Sequence, residues 1–279
     1  MKTNMAILFL ALALTISCQP SRGQEQDAKP GKEDSNEGPG AYSTTLSSLA
    51  DTAIARGFTL DYVMGHFDPA THPGFTLVDT RFADREGLYL RKDTYEAFLR
   101  MYEAAKKDDV TLTIRSATRN FDYQKGIWER KWTGAQAIEN GKDASKAYPN
   151  PKERALKILE YSSMPGTSRH HWGTDMDLNA FTNKYFETGE GLKIYEWLSA
   201  HAAEYGFCQP YSPKGEARPY GYNEEKWHWS FLPIAQPLTA LAKEKLKDDM
   251  ITGFKGAESA TEIGVVEKYV LGINPECLP

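Results

Sequence analysis

The sequence is most informative at Pro165-Gly166-Thr167-Ser168-Arg169-His170-His171-Trp172-Gly173-Thr174-Asp175-Met176-Asp177-Leu178-Asn179. Two of the chain's six histidines and two aspartates lie on either side of one glycine. Thr174 to Leu178 alternates as a strand does, which puts Asp175, Asp177 and Asn179 on one face. A turn at Gly173 brings His170 back against the start of that face. Imidazole and carboxylate suit a catalytic zinc, in sets of three that leave a position open for water. Taken singly, each residue has a plain explanation: a buried histidine is more often a satisfied core residue, and Asp beside Gly is usually a turn.

A second stretch, Gly221-Tyr222-Asn223-Glu224-Glu225-Lys226-Trp227-His228-Trp229-Ser230, changes that balance. In a strand, Trp227 and Trp229 face one way and His228 the other, so two buried indoles would press the imidazole into a fixed position. Glu225 lies three residues from His228 and would point away from it in a straight strand. It reaches the same site only if the strand begins or bulges near Lys226.

Outward from these stretches the chain reads as one α+β domain from residue 41 to 279. Thr94 to Lys107 is an amphipathic helix with Tyr95, Phe98, Leu99 and Tyr102 on its apolar stripe and Asp93 as its cap. Val110 to Ile114 alternates and is β-branched, as a strand is. Phe121 to Trp132, Pro151 to Tyr161 and Leu192 to Tyr205 are helical, the last stopped by Gly206. Lys226 to Phe231 is a short strand. Ile234 to Lys247 is a helix in which Pro237 must sit in the first turn or make a kink.

The 279 residues are 41% hydrophobic, 25% charged and 12% aromatic, which excludes a disordered, collagenous or polytopic membrane chain. A net charge of −5 gives no electrostatic reason to bind nucleic acid. Residues 1–18 read as a signal peptide, with Lys2 as the positive region and Met5 to Ile16 as an apolar run too short to span a bilayer. Leu14-Thr15-Ile16-Ser17-Cys18 resembles a bacterial lipobox, in which Cys18 carries lipid and anchors the chain to a membrane. The alternative is an ordinary secretory peptide cleaved near Ser17. Both export the protein. Residues 19–40 hold a single apolar side chain, Ala28, and read as a disordered tether. With Cys18 lipidated, Cys208 and Cys277 are the remaining pair, and export favours a bridge between them over two separate thiols. Ser-x-x-Lys, G-x-S-x-G, H-E-x-x-H and phosphate-binding glycine loops are all absent.

The first stretch resembles the S-x-H-x-x-G-x-A-x-D, and the second the E-x-W-H, of zinc D-alanyl-D-alanine carboxypeptidases of the VanY-like type. That family belongs with the hedgehog-like and lysostaphin-like metallopeptidases. Ser168, His170, Gly173 and Asp177 fill the first pattern, and Glu225, Trp227 and His228 the second. A third stretch, Ser116-Ala117-Thr118-Arg119-Asn120-Phe121-Asp122-Tyr123-Gln124, resembles S-G-Y-R-S-x-x-x-Q. The resemblance implies a small antiparallel sheet carrying a zinc site, flanked by helices. It implies Zn(2+) held by His170, Asp177 and His228, with Glu225 as general base and Arg119 at the oxyanion or the substrate. Ser116, Gln124 and Ser168 are implied as substrate contacts. Asp175 replaces the family's Ala, where it could compete for metal, add negative charge or face solvent. His171 stays outside the metal set, and Arg119 is preferred to Arg115 by the register of the motif.

The function so implied is zinc-dependent hydrolysis of peptidoglycan stem peptides in the cell envelope, by removal of the terminal D-Ala from D-Ala-D-Ala. The rivals are an endopeptidase of the same fold and a non-catalytic zinc-bearing module that binds cell wall. Retention of Glu225 and Arg119 argues against the module, because a structural zinc needs neither.

Overall fold

A computed structural model describes residues 39–138 and 141–279. The leader, Cys18 and the tether as far as residue 38 lie outside the described residues. Helix α1 (Pro39–Ala55) and the single turn α2 (Leu60–Val63) lead into a two-stranded ribbon, β1 (Phe75–Leu77) with β2 (Tyr89–Arg91), and then α3 (Lys92–Lys107). Strand β3 (Ile114–Ser116) runs into α4 (Phe121–Trp132), followed by α5 (Ala144–Ala147) and α6 (Pro151–Ile158). A 3-10 turn over Arg169–Trp172 precedes β4 (Asp175–Leu178). α7 (Gly189–His201), β5 (Phe207–Cys208), β6 (His228–Phe231), α8 (Leu232–Lys245) and α9 (Ser259–Ile263) follow. Among these residues no helix is long and apolar enough to cross a membrane.

The four-stranded sheet runs β3-β4-β6-β5 with every neighbouring pair antiparallel, so the domain is α+β as its sequence reads. Its central strands are buried along their whole length, on both faces. Residues directly opposite on an antiparallel pair share a face. The register therefore sorts the side chains: Asp175 lies opposite Ser230 and Asp177 opposite His228 on one face, and Met176 opposite Trp229 on the other. The second face belongs to the core, where Met176, Leu178 and Ile114 are fully buried.

Strand β3 departs from the expected one. The alternation of Val110, Leu112 and Ile114 does mark buried positions, but ladder pairing begins only at Ile114. Asn179 explains the difference. Its backbone is left-handed (φ 61°), and its side chain donates to Thr111 O at 2.8 Å, taking the place of a strand neighbour. Ile114 pairs with Leu178 and Ser116 with Asp177, so two residues on β3 face one on β4. Without this bulge Ser116 would lie on the core face; with it, Ser116 joins Asp177.

One helix expectation, the cap of α3, is corrected. Asp93 is inside the first turn of α3, not its cap, and accepts from Thr94 N at 2.9 Å while pairing with Arg91. The deep face of α3 is Thr94, Ala97, Phe98, Met101 and Ala105, and Tyr95, Leu99 and Tyr102 flank it half-buried. Pro237 lies beyond the first turn of α8, where a proline leaves the carbonyl four residues back without its helical donor. That carbonyl, Pro233 O, accepts from Arg56 Nη1 of α1 at 3.3 Å.

Cys208 and Cys277 are bonded, with Cα atoms 5.8 Å apart and a sequence separation of 69. The bridge staples the C-terminal tail to the edge strand beside β6. Closing a loop of that length is worth on the order of 4 kcal/mol on the chain-entropy model.

Candidate active site

Register alone sets Ser116, Asp177 and His228 side by side across β3, β4 and β6. His170 arrives from the 3-10 turn because Gly173 reverses the chain with φ +73°; a Cβ there would clash with the Phe75 ring. His170 Nε2 stands 3.4 Å from Asp177 Oδ2, and His228 Nδ1 stands 3.2 Å from Asp177 Oδ1. The donor atoms of these three buried residues all lie within 4.8 Å of one another. Glu225 meets the geometric demand placed on it. Strand β6 starts only at His228, and a turn in which His228 N donates to Glu225 O at 3.2 Å precedes it. That turn folds Glu225 Oε2 to 3.4 Å from His228 Nδ1.

The imidazoles are oriented from behind. A carbonyl oxygen can only accept, so the 2.8 Å contact of His170 Nδ1 with Ala117 O puts the proton on Nδ1 and turns the lone pair of Nε2 toward Asp177. His171 uses both ring nitrogens. Its Nε2 accepts from Gly166 N at 3.0 Å, so its Nδ1 donates to Arg119 O at 2.5 Å. Burial pushes its pKa down to about 3, so the ring stays neutral. Arg119 N in turn donates to His170 O at 3.1 Å. The two adjacent histidines thus clasp the Ala117–Arg119 segment, and His171 is a strut rather than a ligand. Asn120 caps α4 by accepting from Tyr123 N at 2.9 Å, which fixes the chain just past Arg119.

The donor set is the two imidazoles and one carboxylate of a three-ligand zinc site. One atom shows that the residues fit the ion: Asp177 Oδ1 is buried with no hydrogen-bond partner. A buried carboxylate oxygen left in that state is costly unless a cation completes it. Without metal, burial would raise the Asp177 pKa, but the adjoining His170 and His228 outweigh it and hold the carboxyl far below its usual range. Burial raises the Glu225 pKa above the ordinary glutamate value, which suits a group that must take and return a proton.

The site forms one wall of a cleft of about 860 Å³, lined among others by Ser116, Arg119, Tyr211, Asn223, Glu225 and Trp227. Arg119 Nη1 donates to Ser116 Oγ at 2.9 Å and lies 3.7 Å from Asp177 Oδ2, while its buried Nε has no hydrogen-bond partner. Arg115 points elsewhere: it pairs with Asp84 and donates to Asn179 O at 2.9 Å. Two expected substrate contacts stand apart from the cleft lining. Gln124 is buried in α4 and donates to Ser163 O at 2.8 Å, so it holds a cleft-lining loop instead of facing the cleft. Ser168 is buried at the start of the 3-10 turn, where its carbonyl accepts from His171 N at 3.0 Å.

One group, Tyr211, went unread in the sequence, and a second, Asp175, was placed on the ligand face without a role. Tyr211 is buried with its ring centroid 4.6 Å from that of His228. Asp175 is fully buried and takes His228 Nε2 at 2.8 Å, so it neither faces solvent nor joins the three ligands. The carboxylate's place on the ligand face was legible; its buried partner Arg169 was not.

The family model described as VanY, D-alanyl-D-alanine carboxypeptidase, matches residues 87–234, more than half of the chain. The chain belongs to that family. It is 26% identical over 174 residues to the YodJ protein of Bacillus subtilis, covering 60% of this chain and 55% of that one. It is 27% identical over 134 residues to a D-alanyl-D-alanine carboxypeptidase of Enterococcus faecalis, covering 48% of this chain and 45% of that one. The chain spans about half the length of these curated relatives. A solved structure of VanYB in complex with D-alanine-D-alanine is 21% identical with a TM-score of 0.45, covering 63% of this chain and 87% of that one.

Proposed function

We propose that this protein is an exported zinc carboxypeptidase that removes the terminal D-Ala from peptidoglycan stem peptides ending in D-Ala-D-Ala. The observation that carries the reading is the convergence of His170, Asp177 and His228, with Glu225 at 3.4 Å from His228 Nδ1, on the wall of an open cleft. Zinc, when bound by those three side chains, supplies a Lewis acid for the scissile carbonyl and lowers the pKa of water toward about 7.

The rest is the work of the chain's own side chains. Glu225 takes a proton from the attacking water as its oxygen adds to the penultimate carbonyl carbon. The same carboxyl returns that proton to the amide nitrogen as the C–N bond breaks, and D-alanine leaves as the amine. Arg119, steadied by Ser116 Oγ, sets a guanidinium beside the cleft where the developing oxyanion or the substrate's terminal carboxylate lies. The apolar run of residues 5–16 followed by Cys18 supports export and lipid anchoring, and the Cys208–Cys277 bridge suits an oxidising compartment.

The test is incubation of the purified protein with defined pentapeptide and cross-linked muropeptides, with and without chelator, read by mass spectrometry. Loss of one alanine, abolished by chelator and restored by zinc, is the expected result. Opening of the cross-link would replace the carboxypeptidase with an endopeptidase, and no turnover on any stem peptide would favour a wall-binding module. Growth with labelled palmitate, comparing wild type with Cys18→Ser, tests the anchor: label in the variant would contradict it.

A further inference from the structure

Asp175 stands where the family pattern has Ala, and burying a carboxylate there completely demands compensation. The structure supplies it on every side. Asp175 Oδ2 accepts from His228 Nε2 at 2.8 Å and from Arg169 Nε at 3.1 Å. Its Oδ1 accepts from Thr174 Oγ1 at 2.6 Å and from Ser230 Oγ at 2.8 Å. Arg169 is itself 1% exposed and also donates to Thr239 Oγ1 at 3.0 Å and to Ser230 Oγ at 2.8 Å, with its guanidinium 4.5 Å from the Trp172 ring centroid. Arg169 and Asp175 therefore form a neutral, sealed unit, and at the active site it hydrogen-bonds the far nitrogen of His228.

That nitrogen matters because the other one has rivals. His228 Nδ1 faces Asp177 Oδ1 at 3.2 Å and Glu225 Oε2 at 3.4 Å, two acceptors that favour a proton on Nδ1. A proton there would block the lone pair that zinc needs. With zinc on Nδ1 the ring keeps a single proton, and the acceptor at Nε2 holds that proton on the opposite side and fixes the plane of the ring. The same ladder that sets Asp177 opposite His228 sets Asp175 opposite Ser230, so ligand and support share one register.

We infer that Asp175, held by Arg169, is a positioning residue of the metal centre: it fixes the tautomer and orientation of His228 so that Nδ1 is offered to zinc. This rests on the zinc reading above. A carboxylate behind a ligating histidine typically contributes 10- to 100-fold in metal affinity. Arg169 is the cation that makes such a carboxylate tolerable in the interior without adding net charge to the site.

The test compares wild type, Asp175→Asn and the double variant Arg169→Met/Asp175→Ala, as purified full chains. Zinc affinity is measured by competition with a chromophoric chelator, and folding by far-ultraviolet circular dichroism. The double variant leaves no buried charge unpaired and carries the comparison should the single one not fold. Both variants are expected to bind zinc about 10- to 100-fold more weakly while retaining secondary structure. In the zinc-loaded 15N-labelled protein, the downfield Nε2–H proton of His228 should be present in wild type and move upfield or vanish in Asp175→Asn. Wild-type zinc affinity with an unchanged Nε2–H signal in folded variants would overturn the inference and leave the zinc reading intact. A wild-type protein that binds no zinc would overturn both.

Discussion

Asp175 and Asp177 sit on the same face of the same short strand, yet one end of that strand is sealed and the other is open. At the sealed end every oxygen of Asp175 has donors and Arg169 neutralises its charge. At the cleft end Asp177 keeps one buried oxygen with no hydrogen-bond partner, and the nearest guanidinium, Arg119, is 3.7 Å away with its Nε unmatched. Saturation marks a carboxylate that supports, and an unmet acceptor marks one that binds. The arginines divide in the same way: Arg169 is wholly enclosed, whereas Arg119 faces the cleft.

The largest effect should come from breaking the open end at a ligand. His228→Ala is expected to lose zinc and to drop turnover on a D-Ala-D-Ala peptide to background, with metal content and activity falling together. Glu225→Gln removes the proton acceptor and keeps the ligands. It should lower kcat by about 10²- to 10⁴-fold with zinc content unchanged; parallel loss of metal would show Glu225 to be a ligand. Arg119→Met should cost about 10²- to 10³-fold in kcat/KM with little change in melting temperature.

Arg169→Met sharpens the contrast, because it strands the buried Asp175 charge. Its signature is a loss of about 3–5 kcal/mol in denaturant unfolding, larger than its effect on turnover per zinc-loaded molecule. An Arg169→Met protein as stable as wild type would show that the sealed end is not closed in solution.

The smallest effect concerns acid. In metal-free protein the carboxyls of Asp175 and Asp177 are held well below their ordinary value of 3.8; burial alone would raise them, but Arg169 and His228 beside Asp175, and His170 and His228 beside Asp177, outweigh it. A depressed carboxyl stabilises the fold above its unfolded pKa, and that contribution disappears as the pH falls. The melting temperature of the chelated protein should therefore decline from about pH 4 downward. Asp175→Asn should flatten part of that decline.

The open end was legible in the sequence because its residues come in tight local groups. His170, Gly173 and Asp177 fall within eight residues, and only a left-handed glycine and a strand are needed to fold them together. Glu225 and His228 needed a single condition, a strand starting late, and β6 does start at His228. The sealed end was not legible, because its partners are scattered. Arg169 meets Asp175 across the turn, Ser230 comes from another strand, and Thr239 is 70 residues beyond Arg169. The bulge that puts Ser116 on the site face leaves no mark in the alternation of Val110, Leu112 and Ile114. Gln124 keeps its motif position but turns its amide to Ser163 O behind the cleft lining, since a motif fixes residue identity and not the direction a side chain takes.

The most direct measurement is anomalous diffraction at the zinc edge from crystals of the zinc-loaded protein. One peak is expected roughly 2.0–2.2 Å from His170 Nε2, a carboxylate oxygen of Asp177 and His228 Nδ1, with Asp175 still on His228 Nε2 and Glu225 outside the ligand sphere. A peak ligated by Asp175 or Glu225 in place of Asp177, or no peak between these side chains, would contradict it.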